Sequence, residues 1–278
     1  MRVLSGFAFA AAALSCAFAA AQPSGYWEQD FLDEFETFDS SNWRDQPLWV
    51  NDEDQCYVRD GEAGTREVSD GTLKLRVVDL GEPRPCDNLS KKGEQHHDTR
   101  YIASRVASKN RREYVGGRWS ARLRVKDSGQ PGMFPAWWLL GARNNEPPVE
   151  EPDENVCWPM LGSGEIDIFE HHSDGGPDHY AARAIANLGY CDGGDWQQHM
   201  LVQEATLADW HVYGVEWQGD DLVFLLDGEE IYRNQGAGAA LGEPFFAILN
   251  FAKINDSPMV SSWAMEVDWV KHERWVED

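Results

Sequence analysis

The chain has 278 residues and a formal net charge of −24, with 48 acidic side chains against 24 basic ones. Such a field repels nucleic acid, anionic membrane surfaces and sulfated polymers, and it tolerates a neutral partner. Beyond the N-terminal segment no stretch is apolar for long enough to cross a bilayer, so no membrane insertion is expected. The N-terminus reads as a secretory signal over residues 1–21: Arg2 is the positive start, Val3 to Ala20 is apolar, and Ala19-Ala20-Ala21 is a small-residue cleavage site. Lipidation at Cys16 is disfavoured, because Ala13-Leu14-Ser15 fits a lipobox poorly. Residues 22–278 are then expected as one exported domain, secreted or periplasmic and monomeric, within the size of a single large β domain.

Removal of Cys16 with the signal leaves Cys56, Cys86, Cys157 and Cys191. In an exported chain this even set suggests disulfides, with three connectivities open. Cys56–Cys86 and Cys157–Cys191 are favoured, since each closes a loop between neighbouring strand candidates. Metal binding competes poorly, for no Cys-x-x-Cys pair or suitably spaced His accompanies them.

In chain order, Thr72 to Val77 alternates apolar and polar residues, as does Arg118 to Val125. That period of two marks half-buried strands. Leu222 to Leu226 runs into Asp227-Gly228, a hairpin signal, and Met265 to Val270 makes a last strand. No segment holds a helical period over three turns, and no repeat or Pro/Gly/Ser linker divides the chain. The pattern predicts an all-β jelly-roll sandwich of two antiparallel sheets with a concave cleft. Arg143 to Pro159, rich in acids and proline, is expected as a solvated loop beside that cleft.

The segment Gly164-Glu165-Ile166-Asp167-Ile168-Phe169-Glu170 carries the chemistry. A strand sends Glu165 and Asp167 to one face and the two Ile to the other. Glu170 breaks that parity, and a lone carboxylate on the core face would be costly. A β-bulge near Ile168-Phe169 would return it to the face of Glu165. The two Glu would then lie about four strand steps, ~13 Å, apart at Cα. Leaning side chains can close this to the ~5–5.5 Å of a retaining glycosidase. The competing reading is an acidic, solvated strand face in a very acidic protein.

Its surroundings resemble a known family. Trp158-Pro159 followed by Gly164 to Glu170 looks like the signature of glycoside hydrolase family 16. Phe31 to Phe35 with Trp43, Asn51 to Tyr57, Tyr101 to Arg105, Gly117 to Arg122, Phe134 to Gly141, Trp210 to Trp217 and Val267 to Val270 match further family segments in order. The resemblance implies a retaining mechanism with Glu165 as nucleophile, Asp167 as its helper and Glu170 as acid/base. The residue inserted before Glu170 implies the laminarinase-like branch, with agarases and carrageenases beside it. By the same resemblance Asn51, Arg105, Trp138 and Trp158 bind the sugar, and Asn187 stands where laminarinases carry a His. No catalytic cofactor is implied; a structural calcium would use Glu34 and Asp268.

The expected substrate is a neutral β-linked polysaccharide, with a β-1,3-glucan of the laminarin type foremost. Another β-glucan or a marine galactan is the alternative, the latter helped by a basic cluster at Lys109, Arg111 and Arg112. A non-catalytic carbohydrate-binding jelly roll is the second class, opposed by the presence of both glutamates. His171, His172 and His179 are expected at the cleft rim, and Trp137 in the core.

Overall fold

A computed structural model of the chain describes residues 24–172, 178–185, 191, 197–202, 206–254, 257–259 and 261–278. The expected signal segment, Cys16 and Asn187 lie outside the described residues. Within them two sheets stack face to face, antiparallel except where Cys56–Tyr57 pairs parallel with Thr99–Ala103. The first is ten-stranded; its path runs Glu229–Asn234, Asp221–Leu226, His211–Gln218, Arg118–Lys126, Trp263–Glu277, Thr72–Arg84, Thr99–Ala103 and Cys56–Tyr57. The second is eight-stranded, with the path Gln197–Val202, His179–Ile185, Glu165–Glu170, Met133–Gly141, Pro244–Lys253, Arg105–Ala107 and Arg44–Asp45. Among the described residues helix is confined to Ala237–Ala240 and a 3-10 turn at Glu62–Gly64. No described helix is long and apolar enough to cross a membrane.

The period-two segments explain the sandwich. Leu73, Leu75 and Val77 point inward from Thr72–Arg84, and Trp119, Ala121, Leu123 and Val125 from Arg118–Lys126, on the far side of Trp263–Glu277 in the same sheet; all are buried. From the opposite sheet Trp137, Leu139, Ile166, Phe245, Ala247, Leu249 and Phe251 meet them in one core. Each large side chain removed from water contributes about 1.5–3 kcal/mol, so this interlayer is the principal stabilising element. The Asp227-Gly228 hairpin forms as read, both residues at positive φ (51° and 85°), the mirror-image turn whose twist suits the strands.

The outer face of the eight-stranded sheet is built differently. Ala107, Leu140, Ala142, Phe246 and Ile248 form a second apolar cluster, against which Trp138 and Trp158 pack. Trp137 and Trp138 therefore face opposite sides of one strand, as alternation requires. Both favoured disulfides are present, Cys56–Cys86 and Cys157–Cys191.

Candidate active site

The strand Glu165–Glu170 is central in its sheet, flanked by Met133–Gly141 and His179–Ile185. On one side Leu140 pairs with Glu165, Leu139 with Ile166 and Trp138 with Asp167; then Trp137 pairs with Phe169 and Ala136 with Glu170. Ile168 is the extra residue. On the other side Asp167 pairs with Arg183 and Glu170 with Ala181, so the same slip recurs. The bulge thus falls where the broken parity located it. Ile166, Ile168 and Phe169 stay in the core, and all three carboxylates join the outer face.

A cleft of about 700 Å³ runs over this face. Its floor holds Glu165, Asp167 and Glu170 with Phe134, Ala136 and Trp138 beside them. Asp167 and Glu170 are only 2% and 5% exposed. Burial, and next the Asp167 charge, push the Glu165 and Glu170 carboxyls well above the ordinary carboxylate range. Burial also raises Asp167, against the pull of Arg183, and Asp167 hydrogen-bonds both glutamates. Three close carboxyls cannot all ionise, so the set retains protons that isolated acids would lose. Its ionised and protonated members can serve as nucleophile and acid in one reaction.

Arg183 is the cation of the floor, and sequence reading overlooked it. Its Nε donates to Asp167 Oδ2 at 2.7 Å and its Nη2 to Glu170 Oε1 at 2.9 Å. The available signal was a single Arg in an otherwise apolar stretch, Tyr180 to Ile185, following the acidic strand. Asn250 was also overlooked, although it interrupts the apolar run Phe245 to Ala252 at cleft parity. It accepts from Trp138 Nε1 at 2.7 Å and donates to the Tyr57 hydroxyl at 3.1 Å.

The cleft walls gather the other predicted side chains. Asn51, at positive φ (53°), Arg105, Trp138 and Trp158 all line it. Arg105 is buried, lies 4.9 Å from the Trp138 ring centre, and donates to Glu146 at 2.6 Å and to Gln46 at 2.9 Å. Lys91 reaches the same Glu146 at 3.0 Å.

Several expectations need correction. Arg143 to Pro159 does border the cleft, but it is not wholly solvated: Glu146 and Glu154 are buried. The buried Lys109 ammonium holds the loop, donating to the carbonyls of Asn144 and Glu146 and pairing with Glu154 at 3.2 Å. The expected basic cluster is therefore no surface patch; Arg112 turns to Asn42 and Arg111 to the Trp43 carbonyl. Of the three histidines only His172 lines the cleft, stacked on Phe134 at 4.2 Å between ring centres. The His171 ring is buried between the Ser128 and His179 carbonyls. Glu34 is exposed, and Asp268 is bound by Arg122 at 2.5 Å. A cation there would have to displace that guanidinium, and no group of three or more potential ligands occurs among the described residues. As placed, the pair does not fit a calcium shell.

The comparisons agree with this geometry. The family model "Glycosyl hydrolases family 16" matches residues 62–271. A glucan endo-1,3-beta-glucosidase of Cryptopygus antarcticus is 26% identical over 98% of this chain and 100% of its own length. Glucan endo-1,3-beta-glucosidase A1 of Niallia circulans is 25% identical over 81% of this chain, which spans 33% of that protein. The crystal structure of a LamA variant from Z. galactanivorans, in complex with laminaritriose and laminaritetraose, superposes with a TM-score of 0.73 at 26% identity, covering 88% of this chain and 98% of that one.

Proposed function

The chain belongs to glycosyl hydrolase family 16 and is a glycoside hydrolase; we propose that it cuts β-1,3-linked glucan internally, with retention of configuration. The carrying observation is the bulged strand, which sets Glu165, Asp167 and Glu170 together on the cleft floor. In this reading Glu165 attacks the anomeric carbon while Glu170 gives its proton to the departing glycosidic oxygen. Glu170 then takes a proton from water, whose oxygen displaces Glu165. Asp167 shares hydrogen bonds with both and keeps their protonation complementary. Asn51, Arg105, Trp138 and Trp158 hold the sugars, with the Trp faces as stacking platforms.

The substrate assignment draws on relatives and neighbours that act on 1,3-β-glucan or hold its oligosaccharides. A cleft rather than a closed pocket suits internal cleavage. The disulfides support work in an oxidising compartment, consistent with export through the N-terminal segment.

Incubation with laminarin and assay of reducing ends tests the activity. Release of mixed oligosaccharides is expected, and inertness on laminarin with release from agarose or carrageenan would replace the substrate while keeping the class. Glu165→Gln should abolish cleavage while retaining oligosaccharide binding, and Glu170→Gln should cost about 10²–10⁴-fold in turnover. Unchanged turnover in both variants would move the chemistry to other residues, and wild-type binding without any turnover would leave a carbohydrate-binding module.

A further inference from the structure

We infer that Arg183 is a positioning residue for this reaction, one guanidinium clamping the carboxylates of Asp167 and Glu170 in a fixed mutual geometry across the bulge. The inference rests on the reading of Glu170 as acid/base.

The clamp follows from register. Three steps separate Asp167 from Glu170 on their own strand, but only two separate their partners Arg183 and Ala181. The bulge therefore draws Glu170 one step toward Arg183. Its Nε lies 2.7 Å from Asp167 Oδ2 and 2.6 Å from Glu170 Oε2, while Nη2 donates to Glu170 Oε1 at 2.9 Å. A planar guanidinium presents those donors in one rigid fork, which lysine does not. Both carboxylates are buried, so neither is free to swing into water.

The clamp also treats the two glutamates unequally. Arg183 bonds Glu170, whereas it acts on Glu165 only through its charge. Among the described residues the other groups facing the set are few. Asp167 and Glu165 come from the strand itself. The strand Met133–Gly141 offers neutral Phe134, Ala136 and Trp138, and Pro244–Lys253 offers neutral Asn250. Lys91 and Glu146 act on Glu165 from the wall, and His172 lies two residues beyond Glu170. The Arg183 charge thus opposes burial and Asp167, which both favour protonated Glu170. An acid/base must hold its proton in one half-reaction and lack it in the next. A cation fixed against it serves both.

The test is the pH profile of kcat/KM on soluble β-1,3-glucan for full-length wild type, Arg183→Gln and Arg183→Lys, each checked by thermal unfolding. Loss of the cation should carry the alkaline limb of folded R183Q upward by about one pH unit or more. R183K keeps a charge but not the fork, so its limb should stay near wild type while kcat falls about tenfold to a hundredfold. A folded R183Q with an unmoved limb, or R183K with wild-type kcat, would overturn the proposal. Carbon-13 titration of the Glu170 carboxyl in wild type, R183K and R183Q supplies a reading that needs no turnover: it should stay near wild type in R183K and rise by about one pH unit or more in folded R183Q. A merely structural Arg183 would leave that titration unmoved in folded R183Q. Wild-type inertness on glucan, or full activity of E170Q, would sink the functional reading instead, and the carbon-13 titration would still judge the clamp.

Discussion

Glu53 heads a chain of side chains that ends on the Trp138 ring. Gln55 Nε2 donates to its carboxyl at 2.9 Å, the Tyr57 hydroxyl also bonds it, and Asn250 links Tyr57 to the Trp138 indole. Burial pushes Glu53 up to about 7, against the favourable field of Arg105. Its folded pKa is raised, so between the ordinary value of 4.5 and about 7 the folded state binds a proton that the unfolded state has lost. Stability from this site is therefore present below about pH 4.5 and is lost as pH rises through about 7, a change of up to ~3 kcal/mol. Glu53→Gln has no proton to lose. The variant's stability should fall less than that of wild type between pH 5 and 8, and parallel melting curves across that range would refute the account. The residue stands in a segment that the sequence resemblance picked out, yet its burial was not legible there. Cys56–Tyr57 is a strand of two residues, too short for any period to declare a face. Arg183 escaped for a related reason: one cation in an apolar strand acquires meaning only once register sets it across from Asp167.

Among the elements, the acidic strand was the most legible, because parity is a hard constraint. A carboxylate on the wrong face demands either an expensive burial or an extra residue, and Ile168 is that residue. Loops obey no such rule, which is why the Arg143 to Pro159 stretch misled. Its acids look solvated in sequence, and the cations that bury Glu146 and Glu154 come from Arg105 and Lys109, some forty residues earlier. The Cys56–Cys86 disulfide acts on a comparable wall. It closes a separation of 30 residues, and the segments beyond its ends, Trp49 to Glu53 and Ser90 to Glu94, line the cleft. They also touch: Trp49 donates its amide to the Leu89 carbonyl at 3.1 Å. A loop of that size contributes about 3–4 kcal/mol by constraining the unfolded chain. Replacing both cysteines with serine should lower stability by that amount and raise KM more than it lowers kcat. Denaturant unfolding and steady-state kinetics read both. A loss below ~1 kcal/mol would show that the wall is held by its other contacts.

At the scale of the molecule, the cleft shares the negative sign of the whole, its lining holding seven acids against four Lys and Arg. The chain carries −24 overall, yet Lys91, Lys92, Arg105 and Arg183 all line the cleft. Arg105 and Lys91 are committed to Glu146, and Arg183 to Asp167 and Glu170, so they neutralise the acids of the site and offer little to an anionic ligand. An approaching polyanion therefore meets the outer field first, and that field is negative. The field reaches about 10 Å at 0.1 M salt and about 3 Å at 1 M, whereas stacking and hydrogen bonding to a neutral glucan are not screened. Turnover of laminarin should hence change less than about twofold between low and high salt. Any binding of a sulfated galactan should strengthen as salt rises, the reverse of what a basic cleft gives. Kinetics on the neutral glucan and competition by carrageenan, each across a salt series, separate the cases. Carrageenan inhibition that weakens with added salt would mean that local cations govern the cleft, and the galactan reading would then regain ground that the net charge denies it.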